Sequence, residues 1–287
     1  MPVTFTNQPI LNYPYAGPGD LGLGTVFAWW GLRAFSFNSV GTRAANLRVA
    51  SATADFVTLS DGTLDVASIG AFQQANGGGS IFVTALYDQT GGGFHMTQAA
   101  TAQQPQLMLN GLGARPVMTF NGSQALFTPQ FGTTYNPPLS FAAVVRTAVA
   151  TMPGGGLSPS LGGILVEGGV GVGLYFENGP NALQFDGGAS QNIPISINTW
   201  YALQGIEPGG ATDTIVVNGS ATNWANSGSG TSWQFSTDFL GMGADVTFGG
   251  GGNAINGSIT EGGVWFATFN PTQYGAINSN MRGYWGF

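Results

Sequence analysis

The chain contains no cysteine, and all six of its basic residues are arginine, so lysine is missing too. Without cysteine there is neither a disulfide framework nor a thiolate metal site. Without lysine the 48 glycines cannot build a phosphate-cradling loop that ends in Lys before a helix. Charged residues are only 7% of the 287, against a usual quarter. Thirteen acids leave a net charge of −7, which excludes the basic footprint of a nucleic-acid binder. His95 is the single histidine, so a histidine metal site or a Ser-His-Asp triad would rest on it alone, and a structural role is expected for it. No apolar run approaches the about 18 residues of a membrane-spanning helix. No dense Asp/Asn run of the EF-hand kind appears, so no metal and no cofactor are expected.

What the chain does have is strand-like segments separated by glycine. The glycines cluster at 77–79, 91–93, 154–156 and 249–252, where turns need positive φ. Residues 81–87 read as an inner strand, apolar on both faces, and Asp88-Gln89-Thr90-Gly91 breaks it as a turn. A further strand at Pro116–Phe120 runs into Asn121-Gly122, a hairpin signal. Upstream, Ala45–Ala50 and Phe56–Leu59 read as strands. Asp65–Ala75 reads as a helix capped by its Asp. Val26–Phe37 permits a short helix. Downstream, strands are expected at Leu139–Val149, Gly163–Glu167, Val172–Phe176, Ala182–Phe185, Trp200–Ile206, Thr214–Val217, Trp233–Gly241 and Ser258–Phe269. Asn270 followed by Pro271 starts a closing helix, Pro271–Arg282. Strands at this spacing predict an all-β sandwich. Residues 1–27 are expected to form an N-terminal arm, with its three prolines, and 28–287 one domain. Residues 1–24 lack a basic and apolar leader, so no secretory signal is expected.

The string LYDQTGGGFHMTQA, followed by RPVMTFNG, resembles the catalytic-domain family of arabinofuranosidase B. It is equally similar to concanavalin A-like, laminin-G-like jelly-roll domains of phage and prophage structural proteins. The resemblance spans about residues 28 to 287 and implies a two-sheet antiparallel concanavalin A-like β-sandwich (jelly roll) with a few short helices.

The resemblance also implies site residues. In the arabinofuranosidase family the nucleophile is a Glu at a strand end followed by Asn, and Tyr175-Phe176-Glu177-Asn178 resembles that segment. The family's general acid is an Asp after a Gly-hydrophobic-Gly turn, and Leu240-Gly241-Met242-Gly243-Ala244-Asp245 resembles it. Retaining glycoside hydrolysis needs such a pair, one carboxyl to attack the anomeric carbon and one to protonate the leaving oxygen. Glu177 and Asp245 would fill these roles. The family's adjacent cysteine pair is absent here, and Tyr175 stands where the family has Asp. Tyr175, Asn178, Trp224 and Trp233 are candidates for carbohydrate contact. Trp200, Tyr201, Trp224, Trp233 and Trp265 all lie in or next to the later strands, where an exposed aromatic face can stack on a sugar ring and most aromatics are expected in the core.

The lost pocket groups, the missing leader and the weakly charged composition favour a virion structural protein of a phage-like particle (head decoration, tail or fibre). On that reading it binds host glycans through the sandwich. It would sit on the particle surface after synthesis in the host cytoplasm, among other virion subunits as a homo-oligomer, without nucleic acid or membrane insertion. One alternative is a retaining glycoside hydrolase of the arabinofuranosidase type. Another is a free bacterial lectin-like carbohydrate-binding module.

Overall fold

The computed structural model describes residues 15–132, 138–149, 161–167, 173–177, 182–186, 193–209, 212–225, 239–244 and 254–287. Among these lie eighteen strands and two α-helices, with three short 3-10 turns. The first strands are β1 (Val26–Gly31), β2 (Arg43–Val49), β3 (Ala52–Val57), β4 (Ile81–Leu86), β5 (Met96–Thr97) and β6 (Gln106–Leu112). Next come β7 (Arg115–Asn121), β8 (Leu126–Phe127), β9 (Leu139–Thr147), β10 (Leu161–Glu167), β11 (Gly173–Glu177) and β12 (Ala182–Asp186). The last are β13 (Ile193–Pro194), β14 (Tyr201–Glu207), β15 (Thr212–Val217), β16 (Ser220–Ala225), β17 (Leu240–Met242) and β18 (Asn256–Trp265). Helix α1 is Val66–Ala75 and α2 is Pro271–Trp285.

Every named strand pairing is antiparallel. One layer runs β1-β18-β9-β14-β15-β16. The other runs β3-β2-β4-β5-β8-β17-β10-β11-β12-β13. Strands β6 and β7 join the layers, because β6 pairs with β4 and β7 pairs with the first half of β18. β10 faces β9 and β18, β11 faces β9 and β14, and β12 faces β15. This is the all-β sandwich expected from the sequence.

Helix α2 covers the outer face of β14, which makes β9 and β14 inner strands of three layers. That is why both lack polar alternation: β14 is buried at all seven positions and β9 at every position but Arg146. Trp29, Trp30, Trp265 and Phe141 are fully buried, and the Trp29 and Trp265 rings meet edge to face with centroids 5.7 Å apart.

Several local expectations change. Val26–Phe37 holds strand β1, not a helix, because its apolar residues pair with β18 and are buried between neighbours. Only Phe37–Ser39 is a short 3-10 turn. Strand β6 went unpredicted, since its residues, QLMLNGL, alternate weakly around Asn110-Gly111. Asn121-Gly122 is a turn with Gly122 at φ +89°, but it does not close a hairpin, because β7 and β8 take different partners. Asn218-Gly219 does close one: φ values of +50° and +89° join β15 to β16 in a type I′ turn. The start of the expected Trp233–Gly241 strand lies outside the described residues. Tyr15 and the turn at Pro18–Leu21 pack onto the body. The Tyr15 hydroxyl donates to the Ala34 carbonyl, and Asn280 donates to the Ala16 carbonyl at 2.9 Å.

Candidate active site

Strand β10 is flanked by β11 on one edge and β17 on the other. Glu177 is the last residue of β11, opposite Leu161 at the start of β10 and opposite Ala182 in β12. Tyr175, two residues earlier, lies opposite Gly163 and Gln184. On the other edge, Met242 lies opposite Leu165, and the Gly243 N–H donates to the Ile164 carbonyl at 3.2 Å. β17 therefore runs toward the same end of β10 that Glu177 occupies. Ala244 pairs with Ala254. Asp245, Asn178 and Trp233 lie outside the described residues. Trp224 is located in β16 by its backbone, opposite Asp213.

The Gly-Met-Gly turn before Asp245 has a steric cause. A Cβ on Gly241 would stand 2.5 Å from the Ala244 carbonyl oxygen and 3.0 Å from the Phe127 ring. Gly243 has φ +93°, and a Cβ there would run into the Phe120 ring. Both positions need glycine for the chain to turn this tightly. The Gly243 carbonyl also accepts from the Ile255 N–H at 2.8 Å, pinning the turn to the approach of β18.

The Tyr-Asp-Gln-Thr-Gly string lies elsewhere and works as a latch. Asp88 is 6% exposed and accepts from the Trp29 N–H at 3.3 Å, the Thr90 N–H at 3.0 Å, the Thr90 hydroxyl at 2.7 Å and the Phe94 N–H at 3.3 Å. Gln89 accepts from the Phe35 N–H at 2.8 Å and donates to the Gly31 and Arg33 carbonyls at 3.0 and 2.9 Å. Together they tie β1 to the end of β4. His95 accepts from the Asp88 N–H through Nδ1 at 3.0 Å and meets the Tyr87 ring edge-on. The Tyr87 hydroxyl donates to Asp55 at 2.6 Å under the Arg43 guanidinium. These are the turn roles expected of Asp88 and His95.

Sequence reasoning did not find three other charged groupings. Arg33 and Glu261, both fully buried, form a two-pronged ion pair with Nε–Oε2 2.6 Å and Nη2–Oε1 2.9 Å. They are 228 positions apart, and no motif links them. Glu207 and Asp213 are both buried and become neighbours at the far end of the β14–β15 ladder. Arg115 stacks on Tyr284 at 4.0 Å, and Arg33 covers the same ring at 4.5 Å. Among the described residues no group of three or more His, Cys, Asp or Glu side chains is placed to hold a metal ion.

No protein-family model and no curated protein sequence matches the chain. Solved structures do resemble it. A mutant GH54 α-L-arabinofuranosidase soaked with 4-nitrophenyl α-L-arabinofuranoside superposes with TM-score 0.69 at 15% identity, over 92% of this chain and 64% of that one. An arabinofuranosidase complexed with arabinofuranosyl-alpha-1,2-xylobiose gives 0.68 at 15% identity with the same coverage. A GH54 enzyme soaked with a cyclic sulfate inhibitor gives 0.64 at 18%, again with the same coverage. The chain thus spans 64% of the length of these neighbours. At this identity the likeness establishes the fold. The leading functional expectation is corrected by the same finding: these three structures, each covering 92% of the chain, are arabinofuranosidases and not particle proteins. The structural-protein reading gives way to the glycoside hydrolase alternative.

Proposed function

We propose that the chain is a retaining glycoside hydrolase acting on α-L-arabinofuranosides, with Glu177 as nucleophile and Asp245 as acid/base. The observation that carries this reading is the register around β10. Glu177 ends β11 on one edge of β10, and on the other edge β17 and the Gly243 N–H run toward that same end. The two edges, β11 and β17, stand two strand spacings apart, about 9.5 Å. A retaining mechanism requires ~5–5.5 Å between its two carboxyl groups.

In such a pair Glu177 attacks the anomeric carbon while the Asp245 carboxylic acid gives its proton to the departing oxygen. Asp245, now ionised, then takes a proton from the water that releases the sugar from Glu177. Both carboxyl groups return to their starting states. The missing cysteine pair and the Tyr175 position imply that sugar-holding contacts differ from those of the arabinofuranosidase B family.

Hydrolysis of 4-nitrophenyl α-L-arabinofuranoside tests the proposal. Glu177→Gln is expected to lower kcat by at least about a thousandfold, since a neutral amide cannot serve as the nucleophile. Proton NMR of the first-formed sugar is expected to show retained anomeric configuration. Wild-type turnover that survives Glu177→Gln, or an inverted product, would overturn it.

A further inference from the structure

Two clefts meet on the side of the molecule where the C-terminal end of α2 approaches the loop joining β6 to β7. One, about 480 Å³, is lined chiefly by Leu64, Val66, Leu112, Pro116 and Trp285. The other, about 470 Å³, is lined by polar groups that include Asp61, Ser279 and Asn280. Thr63, Arg115 and Tyr284 line both, so the two form one groove divided by a single arginine and the ring beneath it.

Arg115 is set apart from the other arginines that hold carboxylates. Arg33 pairs with Glu261 and Arg43 with Asp55. The half-buried Arg115 guanidinium lies 4.0 Å over the Tyr284 ring, and among the described residues no hydrogen bond or ion pair reaches its N–H groups. Asp61 acts on it through charge but makes no ion pair with it, and its Oδ1 accepts from the Thr63 N–H at 3.0 Å and hydroxyl at 2.6 Å. Arg33, whose guanidinium also lies over the Tyr284 ring, is neutralised by Glu261 beneath the surface. The ring thus packs against two guanidiniums, and Arg115 keeps its fork of donors unspent. A rigid planar fork of that kind matches a carboxylate bidentately.

The walls narrow the ligand further. An apolar cleft beside a hydroxyl- and amide-rich one fits a sugar ring, which has a C–H face and a rim of hydroxyls. Net charge −7 repels anions at long range, so adsorption without contact chemistry is not expected. We infer that this groove is a second glycan-binding site, in which Arg115 takes the uronate carboxylate of an acidic oligosaccharide. It lies away from the candidate active site, since Arg115 begins β7 while Asn121 at its other end faces the start of β18; six strand steps make that about 20 Å. The inference rests on the glycan-directed reading above, and its readout is binding, independent of turnover.

Isothermal titration of the full chain with trigalacturonic acid, the neutral trisaccharide galactotriose and acetate tests it. Trigalacturonic acid is expected to bind at least tenfold more tightly than either control. Arg115→Gln is expected to remove that advantage, with its thermal midpoint within a few degrees of wild type. Arg115→Lys, which keeps charge but loses the fork, is expected to recover only part of it. Glu177→Gln is expected to leave the binding unchanged. Equal binding by wild type and Arg115→Gln, absence of binding, acetate binding as tightly as the trisaccharide acid, or loss of binding in Glu177→Gln would each overturn the inference. Loss of arabinofuranosidase activity in wild type would strike the proposed function instead and leave these titrations interpretable.

Discussion

Arg33 and Glu261 meet under the Tyr284 ring with no exposed surface, in a protein with few charges to spare. Removing two ions from water costs several kcal/mol each, and only close, two-pronged geometry offsets it. The pair therefore matters most when broken. Glu261→Gln leaves a buried guanidinium without its counter-charge and is expected to destabilise the fold by about 3–5 kcal/mol, read as a lower urea midpoint with unchanged slope. A midpoint within experimental error of wild type would contradict that role. The same scale shows where sequence reasoning succeeds. Asp88 was readable as a turn residue because its bonds to Thr90 and Phe94 are made within a few residues. Arg33 and Glu261 were not, because their partnership exists only after β1 and β18 pair.

Helix α2 shows how much an element owes to its ends. Asn270 accepts from the Gln273 N–H at 3.1 Å, and the Gln273 side chain accepts from the Asn270 N–H at 3.0 Å, with Pro271 at the first helical position. The Asn270-Pro271 start was legible in the sequence, and Gln273 completes a capping box there. The far end was not: the helix continues past Arg282 to Trp285 because Ile277, Met281 and Trp285 are buried against the sheet. Gly286, at φ +80°, then stops it. Asn270→Ala is expected to cost about 1 kcal/mol and to be measurable as a small fall in thermal midpoint. No change would mean that packing alone fixes the helix start. Strand β1 makes the opposite point, since VFAWWG fits helix or strand locally and only its edge along β18 decides.

At the scale of the whole molecule, stability should fall away at both extremes of pH. Burial pushes the Tyr284 hydroxyl up to about 12 and raises Tyr15 as well. The unfolded chain ionises tyrosine near pH ~10, so this stabilisation is complete below that pH and is lost as pH rises through about 12. On the acid side, bonds from the Thr63 hydroxyl hold Asp61 below the usual range, and bonds from the Ser68 hydroxyl do the same for Asp65. At Asp55 partial burial works upward, but bonds from Asn46, Tyr87 and Arg43 outweigh it. Their contribution is present above pH ~4 and disappears as pH falls through their lowered values. Urea midpoints measured from pH 3 to 12 are expected to form a plateau with losses at both ends. A midpoint still rising between pH 10 and 12 would contradict the tyrosine argument. The sequence by itself determined the all-β class, both helix starts and the Asn-Gly turn at 218–219, because periodicity, caps and φ preferences act over neighbouring residues. Only the tertiary structure decided that β9 and β14 are inner strands beneath α2, that Arg33 finds Glu261, and that Glu177 and the turn before Asp245 share one end of β10. Those outcomes depend on which distant strands pair, and pairing is set by burial of whole faces rather than by any local string.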